Sequence, residues 1–454
     1  MKQYINNKIL FTLIIGLIAL FPSGCKLEDS VDPNNPSLDG VLTDASISEL
    51  NNIVTGSESG MRDAIEYYLD DVGVVGREMY RFAGSEPRYT QDLLGQENAT
   101  LDNNAFYTTR QWNASYRVIK NCNILLASID NTQVPTAAQK EGYRAFANTI
   151  KAYEFLIALN LTGANGIRID VADPDNLGPI VSYDDALTAI AALLNDASTQ
   201  LDNAGDSFAF SLSNGFISIK PSPTAPLTPA DFKKFNKALA ARVAVYRKDF
   251  AGALNYLNES FFDINGDFQK GVFHVFSTAS GDQLNRFFLA PNATGEVRVA
   301  QPDFRDDAIA AGQNADTRLL KISKRNATAS QGGLSSDYDV AVYKSNTSAV
   351  PIIRNEELIL IYAEAKIGTN ALPEAVTAIN RIRSGNNLTP YAGAVSQAAL
   401  TTEMLNQRRY SLFCEGHRWV DMRRYDKLGE LPIDRTGDDV WPAFPIPFAE
   451  NVGQ

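Results

Sequence analysis

Apolar side chains recur every three or four residues through most of this chain, the spacing that places them along one face of an α-helix. Four such stripes occur between residues 112 and 246. Between the stripes the pattern breaks at stretches rich in Gly, Pro, Ser and Asp, which are typical of loops. The chain is therefore predicted to be mainly α-helical, with stripes at Trp112, Tyr116, Ile119, Asn123 and Leu126; at Tyr143, Phe146, Ile150, Tyr153 and Ile157; at Leu187, Ile190, Leu194, Ala197 and Leu201; and at Phe232, Phe235, Leu239, Val243 and Tyr246.

The fourth helix has a clear start. Thr228 is suited to the N-cap, Pro229 to the first helical position, and Asp231 to the acidic position of a capping box. A tight link after this helix leads into another apolar stretch. The segment 238–257 (ALAARVAVYRKDFAGALNYL) carries small residues where two helices must approach closely, and it resembles a tetratricopeptide unit.

Further helical patterns occur near the C-terminal end. They cover Asn355 to Gly368, Ala371 to Arg383, Gln397 to Phe413, and His417 to Tyr425. The pairs do not recur at a fixed period, so a regular solenoid is not predicted. The fold class that fits is mainly α, with tetratricopeptide-like helix pairs forming an α-α superhelix that carries long loop-rich insertions and a few short β-hairpins.

Three segments between the helices are predicted to be insertions: Thr162 to Ser182, Asp202 to Leu227, and Glu259 to Pro351. The third has no helical stripe, and its alternating piece Asp339 to Lys344 (DVAVYK) favours a hairpin. Loops of this length in a compact domain are usually functional or disordered. Their aromatic residues favour ordered, functional insertions.

The first residues predict export. An apolar run of thirteen residues, Ile9 to Phe21, is too short to span a bilayer but suits a signal peptide. Ser23 and Gly24 precede Cys25 in an order similar to a bacterial lipobox, although Pro22 replaces the usual leucine. We therefore predict a signal peptide over 1–24 and lipidation of Cys25, the alternative being an ordinary secretory signal.

An acidic, Pro- and Asn-rich segment without periodicity follows the lipobox, and it predicts a flexible tether over 25–40. The remaining residues, 41–454, are predicted to form one domain. It consists of an N-terminal helical half over 41–258 and, over 259–454, the long insertion with the C-terminal helices.

The net charge bears on the binding partners of the protein, and the cysteine content bears on its disulfides. The formal charge of -12 repels phosphate backbones, so no nucleic-acid partner is predicted. Of the three cysteines, Cys122 and Cys414 lie within helical apolar patterns, where a free thiol behaves as a small hydrophobe. A disulfide between these two stays open at this point.

Catalytic patterns are missing from the sequence. The two histidines, His274 and His417, have no recognisable partners, and no HExxH, G-x-S-x-G or P-loop pattern occurs. Asp263, Asn265 and Asp267 alternate like the opening of a calcium loop, but Phe268 stands where that loop needs glycine, which favours a solvated turn. We predict no enzyme activity, no cofactor and no metal.

Three blocks in the C-terminal part carry a family resemblance: Val350 to Arg383, Asn406 to Pro432, and Trp441 to Asn451. They are similar to the signature regions of the RagB/SusD family of surface lipoproteins from Bacteroidetes. Asn406 and Gln407 depart from it, since the family has a Glu-Arg pair there. The resemblance extends more loosely over the rest of the mature chain.

The resemblance implies a non-catalytic lipoprotein, anchored in the cell outer membrane and facing the extracellular side. Such proteins form a lid on a SusC-like TonB-dependent β-barrel transporter and deliver oligosaccharide to it, or in some cases peptide. Three readings stay open: a lid that binds glycan, a lid that binds peptide or protein, and a scaffold lipoprotein without a small ligand.

Sugar recognition combines an aromatic face with planar polar groups, so aromatic residues outside the helical stripes are the candidates. Two segments provide them, 77–94 and 285–288. The alternative is that these aromatic residues only hold their loops on the scaffold. The predicted ligand-binding residues are Tyr80, Arg81, Arg88, Tyr89, Asn285, Arg286, Phe287 and Phe288.

Overall fold

A computed structural model describes residues 38–451. The predicted signal peptide, Cys25 and most of the predicted tether lie outside the described residues. The first described helix begins at Leu38, so the last three residues of the predicted tether are helical.

Thirteen α-helices and eight β-strands lie within the described residues. The helices are α1 (Leu38–Asp44), α2 (Ile47–Gly60), α3 (Ile65–Val75), α4 (Phe106–Asn131), α5 (Ala137–Thr162), α6 (Tyr183–Asn203), α7 (Pro229–Tyr246), α8 (Phe250–Glu259), α9 (Asp303–Ala310), α10 (Asn355–Gly368), α11 (Leu372–Gly385), α12 (Gln397–Ser411) and α13 (Arg418–Arg424). The strands are β1 (Met79–Phe82), β2 (Ile167–Arg168), β3 (Ile180–Val181), β4 (Gly271–His274), β5 (Val297–Ala300), β6 (Ile322–Gln331), β7 (Leu334–Val340) and β8 (Val350–Arg354).

The mainly α fold class is confirmed. Helices α4 to α8 pack one on the next in chain order, and α10 continues the array by packing on α8, α11 and α12. The predicted start of α7 is also confirmed, because Thr228 and Asp231 form a capping box and Pro229 opens the helix. Within residues 38–451, none of the helices is long and apolar enough to cross a membrane.

The face that α4 buries matches the predicted stripe in part. Trp112 and Ile119 are buried as predicted, whereas Asn123 and Leu126 are half-buried beside the fully buried Cys122 and Leu125. Cys122 and Cys414 are both buried free thiols, which answers the open question of a disulfide.

A four-stranded antiparallel sheet, with strand order β1-β5-β7-β6, joins the two halves of the chain. The hairpin predicted in the long insertion is present as β6 and β7. Its second strand ends at Val340, however, so most of the predicted segment 339–344 is loop. The prediction that the insertion lacks helix is wrong for one short segment, α9.

Candidate functional site

The structure places the two predicted tyrosines in the core. Tyr80 on β1 and Tyr89 in a 3-10 turn are 1% and 2% exposed. The hydroxyl of Tyr80 donates to Asp434, and the hydroxyl of Tyr89 accepts from Arg81 at 2.9 Å. Burial raises the pKa of both phenols. Neither ring presents a free face to a ligand in this arrangement.

The two predicted arginines of this segment differ in exposure. The side chain of Arg81 is 12% exposed, pairs with Asp70 and Glu296, and lies 4.2 Å from the centroid of the Tyr89 ring. The side chain of Arg88 is 43% exposed and donates two hydrogen bonds of 2.6 Å to Glu86. Arg88 is therefore the predicted residue of this segment that solvent reaches most readily.

The residues of the second predicted cluster, 285–288, also differ in exposure. Asn285 is buried and donates to the carbonyl of Ser348 at 2.8 Å, and Phe287 is buried edge-on against Tyr343. Arg286 is exposed and Phe288 is half-buried. Asn285 and Phe287 hold their loop on the scaffold in this structure, so Arg286 and Phe288 are the members that remain accessible.

One buried carboxylate joins the two predicted clusters. Asp70, on α3, pairs with Arg81 of the first cluster and with Arg298 of β5. Arg298 also donates to the backbone carbonyls of Arg286 and Phe287, at 3.1 Å and 2.8 Å. The structure therefore brings the segments together through a polar core, although the predicted side chains do not line a shared groove.

Next to Arg88 lies a surface of aromatic and charged side chains that sequence reasoning missed. We call it the Tyr67–Phe106 surface, and it consists of Tyr67, Glu86, Arg88, Phe106 and Arg110. The two rings are half-buried, with centroids 6.4 Å apart. The Arg110 guanidinium lies 4.3 Å from the Tyr67 ring centroid, and that of Arg88 lies 4.9 Å from the Phe106 centroid.

Local structure explains how these side chains meet. Tyr67 is in the first turn of α3, Phe106 is the first residue of α4, and Arg110 follows one turn later on the same face. Phe106 also packs against the buried Tyr89, and the centroids of the two rings are 4.9 Å apart. Sequence reasoning overlooked Tyr67 and Phe106 because both belong to helices, where an aromatic residue is ordinarily interpreted as core.

The arrangement has the chemistry of saccharide recognition. Two rings at the surface can stack on the apolar face of a sugar, and the planar groups of Arg88, Arg110 and Glu86 can hydrogen-bond to its hydroxyls. Within the described residues, no carboxylate lies within 4 Å of the exposed Arg110 guanidinium, so its donors are available. Burial, then the neighbouring Glu66 carboxylate, raises the pKa of Tyr67, so the ring stays neutral at physiological pH.

Four cavities lie outside the Tyr67–Phe106 surface, and their volumes are about 620, 600, 470 and 380 Å³. None of these four is lined by a predicted ligand-binding residue. Among residues 38–451, no group of three or more His, Cys, Asp or Glu is arranged to hold a metal ion. At the suspected calcium loop, Asp263 and Asp267 accept backbone N–H groups of their own turns at 2.9 Å.

The two histidines are buried. His274 Nε2 lies 3.2 Å from the Tyr153 hydroxyl, and burial lowers the pKa of His274 to about 3. Burial likewise lowers the pKa of His417 to about 4, although Glu357 opposes the shift. Both imidazoles are therefore neutral at physiological pH.

Comparison with known proteins identifies relatives in sequence. A family model described as the SusD family matches residues 318–439. A curated relative, SusD-like protein P38 of Formosa agariphila, is 27% identical over 164 residues. That alignment covers 33% of this chain and 30% of the relative, so the chain is matched to about a third of the relative's length.

Comparison with solved structures extends the likeness to the whole fold. A SusD superfamily protein from Bacteroides vulgatus superposes with a TM-score of 0.67 at 16% identity, covering 90% of this chain and 97% of that one. Surface glycan-binding protein A from Bacteroides thetaiotaomicron has a TM-score of 0.68 at 12% identity, with the same coverage. The match over residues 318–439, which contain the first two sequence blocks, and the shared fold make this chain similar to the SusD/RagB family.

Proposed function

We propose that this protein is a non-catalytic surface lipoprotein that binds oligosaccharide and delivers it to a SusC-like TonB-dependent outer-membrane transporter. The observation that carries the proposal is the Tyr67–Phe106 surface, where two rings and two guanidinium groups meet on a SusD fold. A similar fold belongs to a protein described as surface glycan-binding.

The shape of this surface favours an extended ligand. Tyr67, Phe106 and Arg88 lie on the outside of the molecule and not inside one of the four larger cavities. A polysaccharide can lie across an open surface while individual residues of the sugar chain stack on the rings. The exposed Arg286 and half-buried Phe288 of the second predicted cluster are proposed to extend this surface.

The glycan-binding step is tested by affinity electrophoresis and calorimetry with a panel of neutral polysaccharides and their oligosaccharides. We expect Tyr67→Ala and Phe106→Ala each to weaken binding roughly tenfold, in line with loss of a stacked ring. Casein-type peptides are included in the panel. Binding of peptides with no binding of any glycan would favour the peptide-binding alternative and contradict the proposal.

Tyr256 supplies a matched control for these variants. It is a half-buried tyrosine that also has a cation next to its ring, since Lys237 Nζ lies 5.2 Å from the ring centroid. It belongs to α8, outside the Tyr67–Phe106 surface. Tyr256→Ala should leave glycan binding unchanged. Equal losses in Tyr256→Ala and Tyr67→Ala would mean that the losses report general instability.

The anchor and the transporter are tested separately. Cys25→Ala should release the protein from the outer membrane, because the acyl chains would have no attachment point. Purification of the tagged protein from its own outer membrane in mild detergent should recover a TonB-dependent β-barrel in equal amounts. Recovery of the protein alone, under conditions that preserve other membrane complexes, would contradict the delivery role and favour a scaffold lipoprotein.

A further inference from the structure

The cavity of about 470 Å³ lies where distant parts of the chain meet. Its walls come mainly from the end of α2 and the turn after it, from residues 211–216 between α6 and α7, and from β4 with the loop that follows it. Two of these parts belong to insertions that the sequence predicts. The volume falls within the range of sites for small organic ligands. The cavity shares no residue with the Tyr67–Phe106 surface.

His274 contributes a polar atom to this cavity. The residue is 3% exposed, and its Nε2 lies 3.2 Å from the Tyr153 hydroxyl. Its Nδ1 has no hydrogen-bond partner among the described residues, yet it is not sealed in the core as Nδ1 of His417 is. His274 lines this cavity and none of the other three, so the cavity is the space from which Nδ1 can be reached. Because an unpaired nitrogen in such a place costs free energy, we expect a group in the cavity to complete its hydrogen bond.

The size and lining of the cavity suit a larger molecule than the one water that Nδ1 needs. The lining combines apolar and polar groups. Its apolar part includes the buried Met61, Phe216 and Ile352. Its polar part includes His274, Glu58, Arg62 and the hydroxyl groups of Thr55, Ser59, Ser211, Ser213 and Ser280. A ligand with an apolar face and several polar groups matches such a lining.

The charged groups in the lining are already partnered. They are two carboxylates and one guanidinium, from Glu58, Asp282 and Arg62. Arg62 donates to Asp282 at 2.9 Å, and both oxygens of Glu58 accept from the Ser213 amide at 3.1 Å. The imidazole of His274 is neutral, with one donor nitrogen and one acceptor nitrogen. A neutral ligand with hydroxyl groups therefore fits best, because each hydroxyl can donate and accept.

We propose that this cavity is a binding site for a neutral monosaccharide, whose hydroxyls hydrogen-bond to His274 and Glu58. The Tyr67–Phe106 surface is open and suits an extended chain, whereas a cavity of about 470 Å³ suits a single sugar ring. The inference stands independently of the proposed function, because it uses only the residues of this cavity.

The test uses the two imidazoles of the chain, His274 and His417, as reporters. The protein is labelled with isotopic histidine and titrated with glucose, galactose, mannose, xylose and fucose, while heteronuclear NMR spectra follow the ring nitrogens. We expect at least one sugar to shift the signals of His274, because a new hydrogen bond at Nδ1 changes its environment. His417 lines none of the four cavities, so its signals should not move.

Two outcomes of this titration would overturn the proposal. One is no shift of His274 with any of the five sugars. The other is an equal shift of both histidines, which would indicate a change of the whole protein. Calorimetry with galacturonate and glucosamine tests the charge of the ligand. Tighter binding of galacturonate than of galactose, or of glucosamine than of glucose, would overturn the assignment to a neutral ligand.

His274→Phe connects the binding to this cavity. It keeps a planar ring and removes both nitrogens, so it should weaken monosaccharide binding at least about 10-fold in calorimetry. Tyr153→Phe is the matched control, because it removes the same buried hydrogen bond from a residue that does not line the cavity. It should retain binding within about threefold. Equal losses in the two variants would assign the effect to the Tyr153–His274 hydrogen bond and overturn the role of Nδ1.

Glu58→Gln is a second variant, and its result does not depend on the folding of His274→Phe. Its amide oxygen can still accept from the Ser213 amide, so the fold should be retained. Monosaccharide binding should weaken several-fold, because hydrogen bonds to a carboxylate are stronger than those to a neutral amide. Full affinity in Glu58→Gln and His274→Phe would overturn the proposal, as would full affinity in Glu58→Gln alone if His274→Phe does not fold.

Tyr67→Ala separates this site from the proposed function. It should weaken polysaccharide binding and leave the shift of the His274 signals unchanged, since Tyr67 does not line the cavity. Loss of that shift in Tyr67→Ala would overturn the assignment to this cavity. If the wild-type protein bound no polysaccharide while a monosaccharide shifted His274, the proposed function would fail and this inference would stand.

Discussion

Arg298 binds Asp70 through two hydrogen bonds of 2.6 Å and 2.7 Å between side chains that are almost completely buried. Arg81 approaches the same carboxylate from β1. This triad ties a helix of the N-terminal half to a strand of the long insertion. It also fixes the loop that carries Arg286 and Phe288, because Arg298 holds two backbone carbonyls of that loop.

Asp70→Asn should destabilise the protein by about 3–5 kcal/mol, the usual cost of removing one partner of a buried ion pair. Two guanidinium groups would lose their shared counter-charge in the core. The free energy of unfolding from urea titration measures this effect.

The adjacent Asp71 is the control. Both of its carboxylate oxygens are buried without a hydrogen-bond partner among the described residues, and burial raises the pKa of this group well above its ordinary value. Asp71→Asn should therefore be neutral or stabilising near pH 7. If Asp71→Asn lowered the free energy of unfolding more than Asp70→Asn does, Asp70 would not be the stabilising carboxylate of the pair.

Tyr67→Phe should retain glycan binding within about threefold, because the stacking face is unchanged. The hydroxyl is the part that differs, and the proposed contact uses the ring. Calorimetry with the oligosaccharide found for the wild-type chain measures both this variant and Tyr67→Ala. A loss in Tyr67→Phe as large as that in Tyr67→Ala would show that the hydroxyl, and not the ring, makes the contact.

Glu154→Gln should remove a pH-dependent loss of stability. Glu154 is 2% exposed, and burial raises its pKa from 4.5 to about 8. A raised folded-state pKa favours folding fully below pH 4.5, and this contribution is lost as pH rises through 8. Each pH unit within that window costs at most about 1.4 kcal/mol.

Urea titrations of both proteins at several pH values between 4.5 and 9 check this. The difference in unfolding free energy should grow in favour of Glu154→Gln up to about pH 8 and then level off. A constant difference across the series would mean that Glu154 does not titrate in this window.

Gly163→Ala should destabilise the end of α5. Gly163 has a φ of 50° with a ψ of -121°, a backbone conformation that side chains disfavour. A Cβ there would lie 2.9 Å from Arg423 Nη1, which donates to the carbonyl of Pro442, while Nη2 of the same guanidinium donates to that of Asn160. The expected cost is about 1–3 kcal/mol in urea unfolding.

Gly56→Ala is the matched substitution. Gly56 lies inside α2, and a Cβ at that position would have no atom within 4 Å. Alanine should stabilise this helix by about 0.5–1 kcal/mol, since it has the higher helix propensity. If both variants lost the same free energy of unfolding, the backbone conformation of Gly163 could not be the cause of its loss.

Helices and caps could be predicted because they depend on local spacing, whereas the three blocks were found through their resemblance to a known family. The start of α7 at Thr228 and Pro229 is an example, since its signals lie within four residues. Charged residues in the blocks were harder to interpret. Arg354 pairs with Glu415 and Arg408 with Asp421, all nearly fully buried, yet single-sequence patterns treat such positions as solvated.

The ligand-binding residues depend on contacts between distant segments, which periodicity does not encode. Tyr80 and Phe287 are in segments that have the composition of binding loops, but the sheet and the Asp70 triad cover them. Tyr67 is in a helix, and the adjacent Tyr68 is in the core. Which of the two faces outward is decided by how α3 packs, so the sequence alone could not separate them.

The pairing of β1 with β5 matches Met79 to Ala300 and Phe82 to Val297. Near the other end of the chain, the Phe444 amide donates to the carbonyl of Leu161, and the Trp441 indole donates to that of Asp92. Contacts between such distant residues form late, because a long loop must close before they gain any energy. Packing of the N-terminal half is therefore expected to be completed only when the segment around Trp441 and Phe444 docks on it.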